Sequence, residues 1–357
     1  MELNLGFEAR DEYLQLETFK GAMVLLRDVM LVKPGLNVLI TGDTSSDKRV
    51  MDAFAAAAYA LDCIPVTATY PTAPLSLMDP PTMIQEAAME ADVWLECAYQ
   101  TVQHTPSWQK VIAHGRVRYM CLTGIDVDML VRCVANVKYD AMVEFGEYLK
   151  ATIEKVDKIE IKSANGTDLV AYESGRKVRH SGQKYCVDGY PYMLGGQISW
   201  CPLESTINGT LVFDGAIWPP ADLCKLNEPI KLTLENGVVT NIEGGKEAQR
   251  LAEWMASFNC PESYRLAHYS LGFNPGVKAP TGRIVEDERV FGGAEFGIGS
   301  QGAAIMGEKW DAPSHTDGTI VKPTLIFDGV VFEQDGVYLD PKAREFCRKM
   351  GLPGYED

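Results

Sequence analysis

The sequence predicts an α/β protein of two parts: an N-terminal parallel-sheet domain over residues 1–138, and a β-rich domain over residues 139–357. Three observations predict it. Apolar runs alternate with helical segments through the first part, as a parallel sheet with crossover helices requires. Beyond Lys158 the texture changes to short alternating strands separated by Asn-Gly and Asp-Gly turns. A length of 357 residues also favours two cores over one.

The first strand is LNVLITGDT (Leu36 to Thr44), an apolar run ending in turn residues. The alanine-rich stretch Lys48 to Asp62 follows as a helix, and IPVTATY as a second strand. ADVWLECAY and RVRYMCLTG continue the alternation. Between Tyr139 and Lys158, residues Met142, Val143, Phe145, Leu149, Ile153 and Val156 share one face at helical spacing, which predicts a helix leading out of the first domain. The hairpin signals then come in KIEIKSANGTDLVAYES, INGTLVFDG, IKLTLENGVVTNIEGG and TLIFDGVVFEQDGVYL, and predict an antiparallel arrangement. Helical spacing returns at Lys246 to Phe258.

The formal net charge of -16, from 49 acidic and 33 basic residues, argues against nucleic acid and anionic membrane surfaces as partners. The N-terminus MELNLGFEARDEY lacks the basic start and apolar core of a signal peptide, so a cytoplasmic protein is expected. The nine cysteines are scattered singly with no C-x-x-C pair, which reads as buried reduced thiols.

The chemistry is sought among five histidines, His104, His114, His180, His268 and His315. His315 stands in PSHTDGT, where the period-two geometry of a strand turns Asp317 to the same side. His268 lies in LAHYSLGFNPG, at the end of an apolar element. Two histidines and one carboxylate form a set that leaves coordination positions open on iron(II), and zinc accepts similar ligands. Spacing alone does not choose His268 over His180. Three glycine-rich stretches, LGGQISWCP, LGFNPG and FGGAEFGIGSQG, offer the close backbone approach that an active-site floor needs. None opens a helix after a strand as a dinucleotide fingerprint must, and TGDTSSDK lacks the Walker spacing.

At these motifs the chain resembles the superfamily of the thermophilic-type metallo-aminopeptidases (aminopeptidase T and S) and 2,5-dihydroxypyridine 5,6-dioxygenase, most densely from Leu194 to Asp317. The aminopeptidase branch holds two metal ions, and this chain departs from its ligand pattern. Gln197 in LGGQIS stands where that branch has a glutamate, His268 where it has another, and Glu295 in GGAEFGIG where it has a histidine. Its tyrosine has no counterpart, Gly302 being the nearest match. His315 and Asp317 remain. An amide in place of a carboxylate removes charge that a second divalent ion would need, so one metal is expected.

The resemblance therefore implies the dioxygenase branch, with a single metal on His268, His315 and Asp317, iron(II) favoured and Zn(II) or Mn(II) as alternatives. It implies that His104, in YQTVQHTPSW, contacts substrate and moves protons. Gln197 and Ser300 are expected to bind substrate. The implied reaction is cleavage of a small hydroxylated heteroaromatic ring with dioxygen. The alternative is a single-zinc hydrolase, aminopeptidase-like, in which Glu295 takes a proton from bound water. A binding protein that keeps the site without turnover is the third reading. A homo-oligomer acting on a small molecule is expected.

Overall fold

A computed structural model describes residues 14–76, 78–302 and 307–356. The chain divides into two compact units. The first runs to Val137 and takes back residues 184–194; the second comprises residues 138–183 and 195–357. The division falls beside the expected boundary at residues 138 and 139. The returning segment was not legible in the sequence, and its reason is a backbone one: the strand Pro191–Met193 pairs in parallel with Arg118–Cys121 at the edge of the first unit's sheet.

That first sheet is parallel throughout, with spatial order Ile64–Tyr70, Asn37–Asp43, Val93–Glu96, Arg118–Cys121, Pro191–Met193 among the described residues. Each expected strand is present. Asn37–Asp43 sits near the middle and is buried from Val38 onward, as a two-sided parallel strand must be. The helix Lys48–Ala60 begins at Asp47, whose carboxylate accepts from the Arg49 N–H and satisfies one of the orphan donors of the first turn. Trp94 is 1% exposed, donates from Nε1 to Thr41 Oγ1 at 2.9 Å, and meets Tyr119 edge to face. A helix at Gln15–Met23, not anticipated from the sequence, precedes the first strand.

The second unit opens with the helix Tyr139–Ile153, whose buried Met142, Val143, Phe145, Leu149 and Ile153 are the predicted stripe. Two antiparallel sheets follow. The larger, of eight strands among the described residues, contains the predicted hairpins. Its turns are built as the Asx-Gly signals require: Asn236 and Gly237, Asp328 and Gly329, and Asp335 and Gly336 all have positive φ, so each pair matches the twist of its flanking strands. The smaller sheet runs in the order Cys224–Lys225, Ala216–Trp218, Trp310–Ile320, Gly293–Gln301, Leu266–Gly272, Gln197–Trp200. Its four last-named strands carry the residues singled out above for the second domain. All nine cysteines are free, six of them buried. No helix of the described residues is long and apolar enough to cross a membrane.

Candidate metal centre

The site is made by strand register. On the strand Trp310–Ile320, His315 and Asp317 are separated by one residue and share a face. The neighbouring strand Gly293–Gln301 places Gly297 opposite Asp317, and Gly297 is in turn opposite His268 on Leu266–Gly272. The middle residue of this row has no side chain, so the two outer ones lean together over it. A Cβ built on Gly297 would run into the His268 ring. Two residues along the same strand, Glu295 faces the same side.

The donors of His268, His315 and Asp317 lie within 4.8 Å of one another, and this is the candidate metal-binding group found among the described residues. His315 Nε2 is 3.0 Å from Asp317 Oδ1, and His268 Nε2 is 3.7 Å from it. The two imidazoles stack, with centroids 5.3 Å apart and planes at 20°. His315 Nδ1 donates to the Ser300 carbonyl at 2.7 Å, which fixes the ring and turns Nε2 inward, the outer support typical of a metal-binding histidine. Asp317 Oδ1 is buried and accepts no well-aligned hydrogen bond, so it is aimed at the space between the two rings. Two imidazole nitrogens and a carboxylate oxygen suit iron, zinc or manganese, and an orphaned buried carboxylate oxygen is what such an ion would satisfy.

Protonation is divided unevenly here. Burial pushes His268 down to about 4, so its ring is neutral and its nitrogen available. Burial also opposes charge on His315, but the Asp317 carboxylate overrides it and raises His315 to about 9. Asp317 stays below the usual carboxylate range, because the His315 imidazolium outweighs the burial that acts against it. Glu295 is pushed well above its ordinary value, first by burial and then by Asp317. Without a metal the site is therefore a His315–Asp317 ion pair beside a neutral His268 and a neutral Glu295.

The remaining sequence candidates separate. Gln197 is 6% exposed and donates from Nε2 to Glu295 Oε2 at 3.3 Å, so it touches the site through Glu295. Ser300 serves His315 through its backbone carbonyl, while its hydroxyl reaches the Trp310 carbonyl at 3.5 Å. His180 is buried with Nδ1 on Glu147 at 2.8 Å, outside the cluster. His104 is exposed in the first unit, after the strand Val93–Glu96 and before the helix Pro106–His114, with φ 75° and its ring 5.1 Å from Trp108. Sequence reasoning missed Glu288. Burial raises it to about 8 against the pull of Arg289, whose Nη1 is 3.0 Å away, and Asp317 and Glu295 push it the same way. Its signal was concealed in the charged run EDER, which reads as a solvated face.

Comparison with known proteins gives the family and the fold. The family model of NicX, 2,5-dihydroxypyridine 5,6-dioxygenase, matches residues 25–340. A curated relative, 2,5-dihydroxypyridine 5,6-dioxygenase of Pseudomonas putida, is 28% identical over 204 residues, which cover 54% of this chain and 53% of that protein. The chain thus spans about half the length of the curated relative it matches. The solved structure of 2,5-dihydroxypyridine dioxygenase from Pseudomonas putida KT2440 has a TM-score of 0.76 at 19% identity, covering 94% of this chain and 99% of that one. Wild-type AmpT from Thermus thermophilus has a TM-score of 0.64 at 12% identity, covering 91% of this chain and 100% of that one. At these identities the structural likenesses establish the fold.

Two outcomes follow from the geometry. Gly297→Ala should displace the His268 ring and weaken Co(II) binding by about 10-fold or more, the scale on which loss of ligand orientation acts; competition with a chromophoric chelator reads it, and unchanged affinity would contradict the register argument. Because His315 is protonated below about 9 in the metal-free protein, metal binding must expel that proton, so affinity rises with pH up to that value. Calorimetry at pH 7.5 in buffers of different ionisation enthalpy should show release of at least about one proton per ion. A buffer-independent heat would refute it.

Proposed function

The chain belongs to the 2,5-dihydroxypyridine 5,6-dioxygenase family, and from that premise we propose that it is a mononuclear non-haem metal enzyme that opens a small hydroxylated pyridine-type ring with dioxygen. The observation that carries the reading is the convergence of His268, His315 and Asp317 on one face of three adjacent strands. His268 contributes a neutral imidazole, and Asp317 a carboxylate oxygen that is paired with the His315 imidazolium but accepts no well-aligned hydrogen bond. His315 contributes Nε2 once its proton has left, its ring held by the Ser300 carbonyl. Iron(II) on such a set supplies the redox chemistry that joins ring and dioxygen.

The chain's own residues do the rest. Glu295 and Gln197 beside the donors are buried, while His268, Asp317 and His315 keep 14%, 15% and 35% of their side-chain surface exposed, which leaves the ion open to a small substrate. Gln197 and Glu295 form a polar edge that can orient a substrate oxygen. The acid/base role of His104 is carried forward on the resemblance: an exposed imidazole at the C-terminal edge of a parallel sheet is placed where α/β domains present functional groups.

The test is metal analysis of anaerobically purified protein, followed by oxygen uptake with 2,5-dihydroxypyridine, related dihydroxypyridines and a set of small amides. Iron-dependent uptake with a dihydroxypyridine is expected; amide hydrolysis with zinc and no uptake would transfer the reading to the hydrolase alternative. His315→Ala and Asp317→Ala should each lose the metal and keep the fold by circular dichroism, since ligands of an open site contribute affinity more than packing. His104→Ala should keep metal and fold and lose turnover by roughly 10²–10⁴. Full activity in that variant would remove His104 from the mechanism.

A further inference from the structure

We propose that Glu96 is a positioning residue for His104, gripping the loop that carries it and, through Tyr119, the ring packed against it; the inference rests on the proton-moving role of His104 proposed above. Glu96 ends the strand Val93–Glu96, directly before the loop that leads to His104 and the helix Pro106–His114. It is 0% exposed, so its carboxyl is turned into the unit and away from solvent. A carboxyl buried this deeply is costly unless its oxygens find donors. Both oxygens find one here. Oε1 accepts from the Val102 N–H at 2.8 Å, two residues before His104, and Oε2 accepts from the Tyr119 hydroxyl.

The second contact reaches His104 by another route. Strand register sets Tyr119 beside Trp94, two residues before Glu96 and on the same side of the sheet. The Tyr119 ring packs edge to face on Trp108, with centroids 5.8 Å apart and planes at 72°. Trp108 in turn lies 5.1 Å from the His104 imidazole. One carboxyl therefore ties down the main chain before His104 and the aromatic support of its ring. The loop needs such ties, because His104 has φ 75°, a left-handed conformation that a residue with a β-carbon keeps only where its surroundings impose it. Asp43, 2% exposed at the end of the neighbouring strand, adds a second anchor by accepting from the Gln100 N–H at 3.0 Å. Beyond them the Thr105 hydroxyl donates to the Val102 carbonyl at 2.8 Å, and the Gln109 amide to the His104 carbonyl at 3.1 Å. Glu96 is the residue that joins the backbone ties to the ring stack.

The experiment is a double-variant cycle in the full-length protein, read as oxygen uptake with 2,5-dihydroxypyridine and as Co(II) affinity. Glu96→Ala is expected to lower kcat about 10- to 100-fold, the scale of a small misplacement of a reacting group, with KM and Co(II) affinity unchanged. Glu96→Gln keeps an acceptor for Val102 and a partner for Tyr119, and is expected to recover most of that loss. In a His104→Ala background Glu96→Ala should cost nothing further, because the two residues act as one unit. An undiminished loss in that background, a loss that appears as weaker Co(II) binding, or a Glu96→Gln variant no better than Glu96→Ala overturns the inference and leaves the role of His104 standing. Full activity of His104→Ala removes instead the reading on which the inference rests. Amide exchange in the wild type decides independently of any variant's folding. The Val102 N–H should be protected by roughly 100-fold or more, and exchange at the rate of an unstructured chain overturns the grip on the loop.

Discussion

Two imidazoles and two carboxyl groups can share one face of a sheet only if the strand between them carries no side chain where they meet. Gly297 satisfies that condition, standing between Asp317 on one neighbour and His268 on the other. Everything else about the centre depends on this contact. It brings Asp317 Oδ1 within 3.7 Å of both histidine Nε2 atoms, and it packs Glu295 against the same group. Such crowding is electrostatically unfavourable, and the metal-free site relieves it by leaving His268 and Glu295 neutral while His315 and Asp317 form an ion pair. A divalent ion relieves it differently, by replacing the His315 proton and meeting the carboxylate oxygen that otherwise has no aligned donor.

Much of the fold was legible because local signals agreed with the tertiary structure. The alternation of apolar runs and helical stretches marked the parallel sheet, and Asn236-Gly237, Asp328-Gly329 and Asp335-Gly336 turn where Asx-Gly pairs should. The segment 184–194 was not legible, because its short strand Pro191–Met193 has too few residues to show a period and is claimed by the first sheet through backbone pairing alone.

The site divides in the same way. His315 and Asp317 could be read from a two-residue spacing, since strand geometry fixes which side each faces. Choosing His268 over His180 needed the resemblance, because spacing alone does not separate them and only the pairing of Leu266–Gly272 with Gly293–Gln301 brings one of them to the cluster. The glycine-rich stretch FGGAEFGIGSQG could be read as a floor, but which glycine matters is a matter of register. Glu288 and Arg289 were concealed by their composition, because four charged residues in a row look solvated, whereas Glu286, Asp287 and Arg289 are buried and Glu288 is largely covered.

The departures from the two-metal aminopeptidase pattern acquire a physical meaning in this arrangement. Gln197 donates to Glu295 where a carboxylate would repel it, and under the single-metal proposal this amide withholds the charge that a second dication would need. The central claim is thus a single metal centre built over Gly297. It is tested most directly by titrating metal-free protein with iron(II) under anaerobic conditions and following free iron with a chelator. The account predicts a sharp end point at one ion per chain. An end point at two ions, or no tight binding at all, would contradict it.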